Sequence, residues 1–203
     1  MRRQLLLIAK APVPGRVKTR LCPPCTPEQA AAVAAAALAD TVATLSATPA
    51  VRRTLVVHGE YPAPPGWHVV PQRGDGLGER VANAFADTAL PGVSTLLVGI
   101  DTPHLSLLDT PAGDALGLAE DGGWWALQLE NPADAQVLRA VPMSTPDTGR
   151  LTLAALRERG LSVGPLPVLR DVDTAEDAHA VAACCPGSRF ARAVQTMVPE
   201  PVR

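Results

Sequence analysis

The sequence predicts an α/β fold, a sandwich in which helices cover a mostly parallel sheet. Two observations predict it: six short apolar runs have the length of strands, and helical patterns opened by capping residues lie between several of them. With 203 residues, 47% of them hydrophobic and 19% charged, the chain suits one domain with a sizeable core.

Taken in order, "QLLLIA" at 4–9 reads as the first strand. With its two preceding arginines and following "AKA" it imitates a secretory signal, but the uninterrupted apolar run from Leu5 to Ala9 is shorter than the roughly 7 to 15 residues such a signal needs. The expected location is the cytoplasm. Thr26, with Pro27 and Glu28 behind it, caps a helix that runs to about Ser46. The alanine-rich stretch inside it, from Ala30 to Ala39, meets Asp40 well before the ~20 residues a membrane span requires, so no span is expected. Strands follow at "RTLVVH" (53–58) and "WHVV" (67–70), then a helix over "LGERVANAFADTA". "STLLVGI" (94–100) and "WWALQL" (124–129) read as strands, "GRLTLAALRERG" as a helix, and "LPVLRDV" (166–172) as the last strand. Thr174 caps a final helix over "AEDAHAVAAC". The expected organisation is a single domain over 1–190 and a loosely held C-terminal tail over 191–203, ending "MVPEPVR".

Charge and cysteine usage exclude several classes. A net charge of -2 and 3% aromatics provide neither the basic stripe nor the stacking platform of a nucleic-acid binder, so nucleic acid is not an expected partner. Cys22 and Cys25 stand in "CPPC", a spacing used by zinc and redox sites, but Cys184 and Cys185 are adjacent and provide no second spaced pair. No thioredoxin-like pattern surrounds the motif, and the cysteines read as structural.

Ligands of open α/β sheets collect beyond the carboxyl ends of the strands, which directs attention to four edges. After the first strand, "KAPVPGRVKT" crowds Pro14, Gly15, Arg16 and Lys18 into a stiff turn, with Arg20 just beyond. Backbone amides near Gly15 and the three cations suit a polyphosphate, although the same residues also make an ordinary solvated turn. The spacing is neither a Walker A loop nor G-x-G-x-x-G. In "GIDTPHL", Asp101 closes a strand and is placed to hold Mg²⁺, a cation that takes oxygen ligands. In "RDVDTAEDA", Asp171 and Asp173 end the last predicted strand; Asp173 could equally serve the following helix terminus. An ion clamped by Asp101 and Asp173 opposite the basic turn would spread the charge of a phosphate chain. Finally, "AEDGGWWALQL" offers Asp121 for hydroxyl groups, Gly122 and Gly123 for close backbone approach, and Trp124 or Trp125 as a pocket wall. The alternative is a tight turn into a core strand, and alternation assigns one of the two tryptophans to the core.

Five segments, "AKAPVPGRVKTRL", "RGDGLGERVANAF", "GIDTPHL", "AEDGGWWALQL" and "RDVDTAEDA", together resemble the ordered motifs of the DUF2064 family of glycosyltransferase-like bacterial proteins, over about residues 5–182. The resemblance implies a three-layer α/β/α sandwich with a mostly parallel mixed sheet, of the GT-A or nucleotide-diphospho-sugar transferase type. The basic turn is similar to the triphosphate loop of sugar-acid cytidylyltransferases and molybdenum cofactor guanylyltransferases, and "VDTAED" to a magnesium-binding segment of the former. Carried over, Pro14, Gly15, Arg16, Lys18 and Arg20 would meet the triphosphate, and Asp101 and Asp173 the metal. Gln72, Arg73 and Gly78, in and beside "RGDGLGER", would lie near the nucleotide, where the family more often has Gly-Asp-Leu-Gly. The chain also departs from relatives between Asp101 and Asp121, where there is room for only a turn of helix and a short strand, and Gly117-Leu118 replaces the common Gly-Pro.

The function this implies is magnesium-dependent nucleotidyl transfer from a nucleoside triphosphate to a small phosphorylated or acidic acceptor, with Mn²⁺ as the alternative ion and Arg16, Lys18 and Asp101 as the catalytic set. Neither His58 nor His104 needs a role in it. Two readings stand beside it: a glycosyltransferase using a nucleotide sugar, and a non-catalytic nucleotide-binding protein created by the shortened 102–120 segment.

Overall fold

Apolar side chains on both faces of the central strands require a layer on each side, and the chain provides two. The computed structural model describes residues 2–106 and 111–200. Among these, seven strands form one sheet: β1 (Arg3–Lys10), β2 (Arg52–His58), β3 (His68–Pro71), β4 (Ser94–Val98), β5 (Asp114–Leu118), β6 (Trp124–Leu129) and β7 (Val163–Pro165), in spatial order β3-β2-β1-β4-β6-β5-β7. Only β6 runs against the others, pairing antiparallel with β4 and β5. The sheet is therefore mostly parallel and mixed, as expected.

Alternation along β1 shows how the layers are built. Leu5, Leu7 and Ala9 join one core with Leu38 and Leu45 of α1 (Pro27–Ala47), while Leu6 and Ile8 join another with Val81 and Phe85 of α2 (Leu77–Thr88). On that side α4 (Ala175–Cys184) and α5 (Arg189–Met197) pack against α1 in a core of their own. The second carries α2, a 3-10 helix (Pro132–Ala140) and α3 (Thr148–Glu158). Thr26 and Thr174 both form capping boxes, with Gln29 and Asp177, so the two predicted helix starts stand where the sequence put them. At 21 residues α1 is long and apolar enough to cross a membrane, longer than the alanine run alone indicated, yet Val33, Ala37, Leu38 and Leu45 are buried inside the fold. Cys22, Cys25 and Cys185 are free thiols packed in or against the α1/α5 core.

Two expectations need correction. The predicted strand at 166–172 is displaced: β7 ends at Pro165, and the next seven residues run beside the sheet with one isolated bridge, Leu169 to Ala119. The Leu166 amide still bonds to the Leu116 carbonyl, but the next bond to β5 runs from Leu169 to Leu118, three residues against two, so one extra residue breaks the register and Val168 is left exposed. The segment 191–203, expected as a tail, carries α5 as far as Met197. Phe190, Ala191 and Val194 are buried on its inner face, and Asp40 of α1 accepts the Phe190 amide at 2.7 Å. The short strand expected in 102–120 is β5; part of the helical turn expected there lies outside the described residues.

Candidate functional site

All parallel strands end on one edge, and because β6 is reversed its start lies on that edge as well. The loops there enclose a cleft of about 840 Å³, within the size range of small-ligand sites.

The basic turn leaves β1 at Lys10. Gly15 takes φ +75, a left-handed conformation that favours glycine, and Val17 packs on Ala31 and Ala34 of α1, which pins the turn to the helix. Lys18 is also left-handed (φ 48), a conformation rare for a side-chain-bearing residue. Its ammonium bonds to Asp101 Oδ1 and to the Val172 carbonyl, with only 7% of the side chain exposed. Arg20 pairs with Asp173 at 2.5 Å.

Backbone bonds bring the acidic residues together. The Val172 amide donates to the Asp101 carbonyl at 2.8 Å, which lays the 171–173 segment across the end of β4. The Glu120 amide donates to the Leu169 carbonyl at 3.0 Å, tying the Asp121 turn to the same segment. Within that turn Asp121 Oδ1 accepts the Gly123 amide at 2.7 Å, and Gly122 takes φ +89. Any Cβ on Gly122 would stand 1.9 Å from the Pro146 carbonyl.

Carboxylate oxygens of Asp121, Asp171 and Asp173 lie within 4.8 Å of one another. Burial, and then the charges of Asp121, Asp173 and Asp101, push Asp171 up from 3.8 to about 6 against the opposing pull of its own backbone amide. Three crowded carboxylates with excess negative charge fit a hard divalent cation such as Mg²⁺ or Mn²⁺.

Of the expected residues, Arg16, Lys18, Arg20, Gln72, Asp101, Asp121, Gly123, Trp124 and Asp173 line the cleft. Gln72 is fixed through Nε2 to the carbonyls of Ala9 (2.7 Å) and Val56 (3.2 Å). Arg73, expected near the nucleotide, does not line it: its guanidinium forks onto Asp87 of α2. Gly78 is a packing residue, since a Cβ there would lie 2.3 Å from the Leu138 carbonyl. Pro14, Gly15 and Gly122 shape turns at the margin. The expected metal pair is rearranged, with Asp101 held by Lys18 and the compact cluster formed by Asp121, Asp171 and Asp173. Trp125 is the core tryptophan, its Nε1 bonded to the Pro167 carbonyl at 3.0 Å, and both tryptophans reach the cleft.

The opposite wall is formed by Asp75, Leu77 and Arg80, from the segment "RGDGLGER" expected near the nucleotide, and by Met143–Pro146, which sequence reading missed. In this loop Ser144 is left-handed (φ 60), a conformation that concentrates at functional sites. "PMSTPDTG" marks a turn but carries no chemistry-bearing pattern; Asp171 was visible only as a strand-end acid.

In sequence, residues 30–145 match the DUF2064 family, described as uncharacterized protein conserved in bacteria. No curated protein matches the chain. Among solved structures, a provisionally assigned nucleotide-diphospho-sugar transferase from Desulfovibrio desulfuricans G20 is 23% identical with a TM-score of 0.81, covering 97% of this chain and 95% of that one. The manganese complex of Rv0371c from Mycobacterium tuberculosis H37Rv is 18% identical with a TM-score of 0.52, over 88% and 97% of the two chains. A 4-diphosphocytidyl-2C-methyl-D-erythritol synthase is 15% identical with a TM-score of 0.54, over 92% and 100%. The chain thus shares its fold with the Desulfovibrio protein and the 4-diphosphocytidyl-2C-methyl-D-erythritol synthase.

Proposed function

The chain belongs to the DUF2064 family, and from that premise we propose that it is a divalent-metal-dependent nucleotidyltransferase, using Mg²⁺ or Mn²⁺. It moves a nucleoside monophosphate from a triphosphate to a small phosphorylated or acidic acceptor. One observation carries the reading: a turn with three cations and four aspartates from three separate segments meet in a single cleft at the carboxyl edge of the sheet.

The chemistry asks little of the protein beyond positioning and charge. Arg16, Lys18 and Arg20 bind the oxygens of the phosphate chain, and Lys18 stabilises negative charge as it grows on the leaving pyrophosphate. Asp121, Asp171 and Asp173, with Asp101 beside them, would hold the metal ion, which when bound neutralises phosphate oxygens and aligns them. An acceptor phosphate or carboxylate oxygen attacks the α-phosphorus in line; the new P–O bond forms as the bond to the β-phosphate's bridging oxygen breaks. Such an acceptor is already deprotonated, so no general base is required. Asp121, Gly123 and Trp124 line the part of the cleft left to the acceptor.

The second reading, glycosyl transfer, is favoured by the fold shared with the Desulfovibrio protein. Product analysis with candidate triphosphates and sugar nucleotides separates the two, since the first releases pyrophosphate and the second a nucleoside diphosphate. Asp173→Asn should lower either rate more than about a hundredfold, because even changes around metal ligands cost roughly 10 to 100-fold. An unchanged rate removes the metal assignment, and nucleotide binding with no turnover in the parent protein favours the non-catalytic reading.

A further inference from the structure

The two sets of residues assigned to phosphate and to metal are paired with each other. Lys18 bonds to Asp101 and the Val172 carbonyl, and Arg20 to Asp173. Both cations come from the basic turn, the two acids from the segments that follow β4 and precede α4, and the Lys18 side chain is almost fully buried in the contact. The two pairs thus cancel the charges of Asp101 and Asp173, while Asp121 and Asp171 have no cationic partner among the described residues. Either component arriving alone meets a penalty. A divalent cation entering the Asp121, Asp171 and Asp173 cluster has the Lys18 and Arg20 charges beside it, while a polyphosphate must draw Lys18 and Arg20 away and leave four carboxylates facing its own charge.

We propose, on the footing of the triphosphate reading above, that the site accepts a divalent metal and a polyphosphate only together. Lys18 and Arg20 act as a latch, exchanging carboxylate partners for phosphate oxygens as the metal takes over the carboxylates. Lys18 carries the latch from a left-handed backbone (φ 48), its ammonium on Asp101. Free metal and free polyphosphate are both disfavoured, and by linkage each must raise the affinity of the other by the same factor.

The test is calorimetric titration of the full chain with Mn²⁺ alone, and with inorganic tripolyphosphate in the presence of Mn²⁺ or of EDTA, with concentrations corrected for the complex formed in solution. Wild-type protein should bind Mn²⁺ weakly, and tripolyphosphate at least about tenfold more tightly with Mn²⁺ than in EDTA, within the usual range of coupling between sites. Lys18→Gln should bind Mn²⁺ alone about tenfold more tightly than wild type, and Arg20→Gln, at a more exposed pair, should tighten it less. Asp101→Asn should bind tripolyphosphate in EDTA more tightly than wild type by freeing Lys18. Thermal unfolding checks that each variant is folded, and Arg20→Gln changes an exposed side chain that the fold does not need. The latch is overturned if Lys18→Gln and Arg20→Gln bind Mn²⁺ no better than wild type, or if tripolyphosphate binds equally with and without the metal. Failure of tripolyphosphate to bind under any condition instead overturns the triphosphate reading, and the latch with it; that pattern differs from the first, in which polyphosphate still binds.

Discussion

Asp171 is ionised at neutral pH at some cost to the fold. Partial burial, and then the charges of three neighbouring aspartates, push its carboxyl up from 3.8 to about 6 in the folded protein. A raised acid keeps its proton in the folded state after the unfolded chain has lost it, so stability falls as pH rises through that window and the full penalty is present above about pH 6. Metal-free Asp171→Asn protein should therefore melt higher than wild type near pH 7.5 and equally below about pH 4. Equal melting at both ends would show a solvated side chain. Gly122 makes a second residue-scale case. Both Gly122 (φ +89) and Gly15 (φ +75) are left-handed, but a Cβ at Gly15 meets nothing within 4 Å while one at Gly122 strikes the Pro146 carbonyl. Gly15→Ala should cost about 1 kcal/mol and Gly122→Ala about 3 kcal/mol or more, read by denaturant unfolding. The residue types of the site were legible in the sequence because strand-end aspartates and a clustered basic turn are local features. That Lys18 would face Asp101 was not, since it depends on a left-handed backbone and on how the 171–173 segment crosses β4.

Elements differ in how far local pattern controls them. The starts of α1 and α4 follow from Thr-capped sequences that satisfy their own amides. Helix α5 carries an amphipathic pattern as well, with Phe190, Ala191 and Val194 on one side, but the prolines after it disguise the end as a tail. Ser188 caps it locally, and residues distant in sequence hold it to the fold: Asp40 accepts the Phe190 amide and pairs with Arg189, and α1 and α4 cover Phe190. Phe190→Ala should cost about 3 to 5 kcal/mol, the usual price of emptying a buried aromatic site, and hydrogen exchange should show α5 opening first. Protection of α5 unchanged by the substitution would contradict this packing account. The displaced last strand has the opposite history. Leu166–Val172 is apolar enough to resemble a strand, yet Leu166 and Leu169 bond to Leu116 and Leu118 out of step by one residue, so Val168 is exposed and regular pairing stops. Beyond Leu169, which is still bonded to Leu118 and Glu120, the segment leaves the sheet and Val172 bonds to the Asp101 carbonyl, which brings Asp171 and Asp173 to the cleft.

On the scale of the whole molecule, the strand order decides the chemistry. Placing β1 next to β4, and reversed β6 between β4 and β5, puts the basic turn, Asp101 and the Asp121 turn on one edge. A ligand that bridges those loops ties together segments from both ends of the chain, so binding should stabilise the protein globally. With metal and polyphosphate at about a hundred times the dissociation constant, stabilisation of ~2.7 kcal/mol should raise the melting temperature by about 5 to 10 °C. A shift equally large with either component alone would argue against the paired requirement. The sequence by itself determined the alternation of strands and helices, the capped helix starts and the kinds of charge at the strand ends, because each is set by side-chain spacing and bonds within a few residues. Only the tertiary structure decided which acids share a cluster, which cations they hold and what forms the opposite wall, because those contacts join residues distant in sequence, such as Lys18 with Asp101 and Arg20 with Asp173, through sheet register and loop crossing.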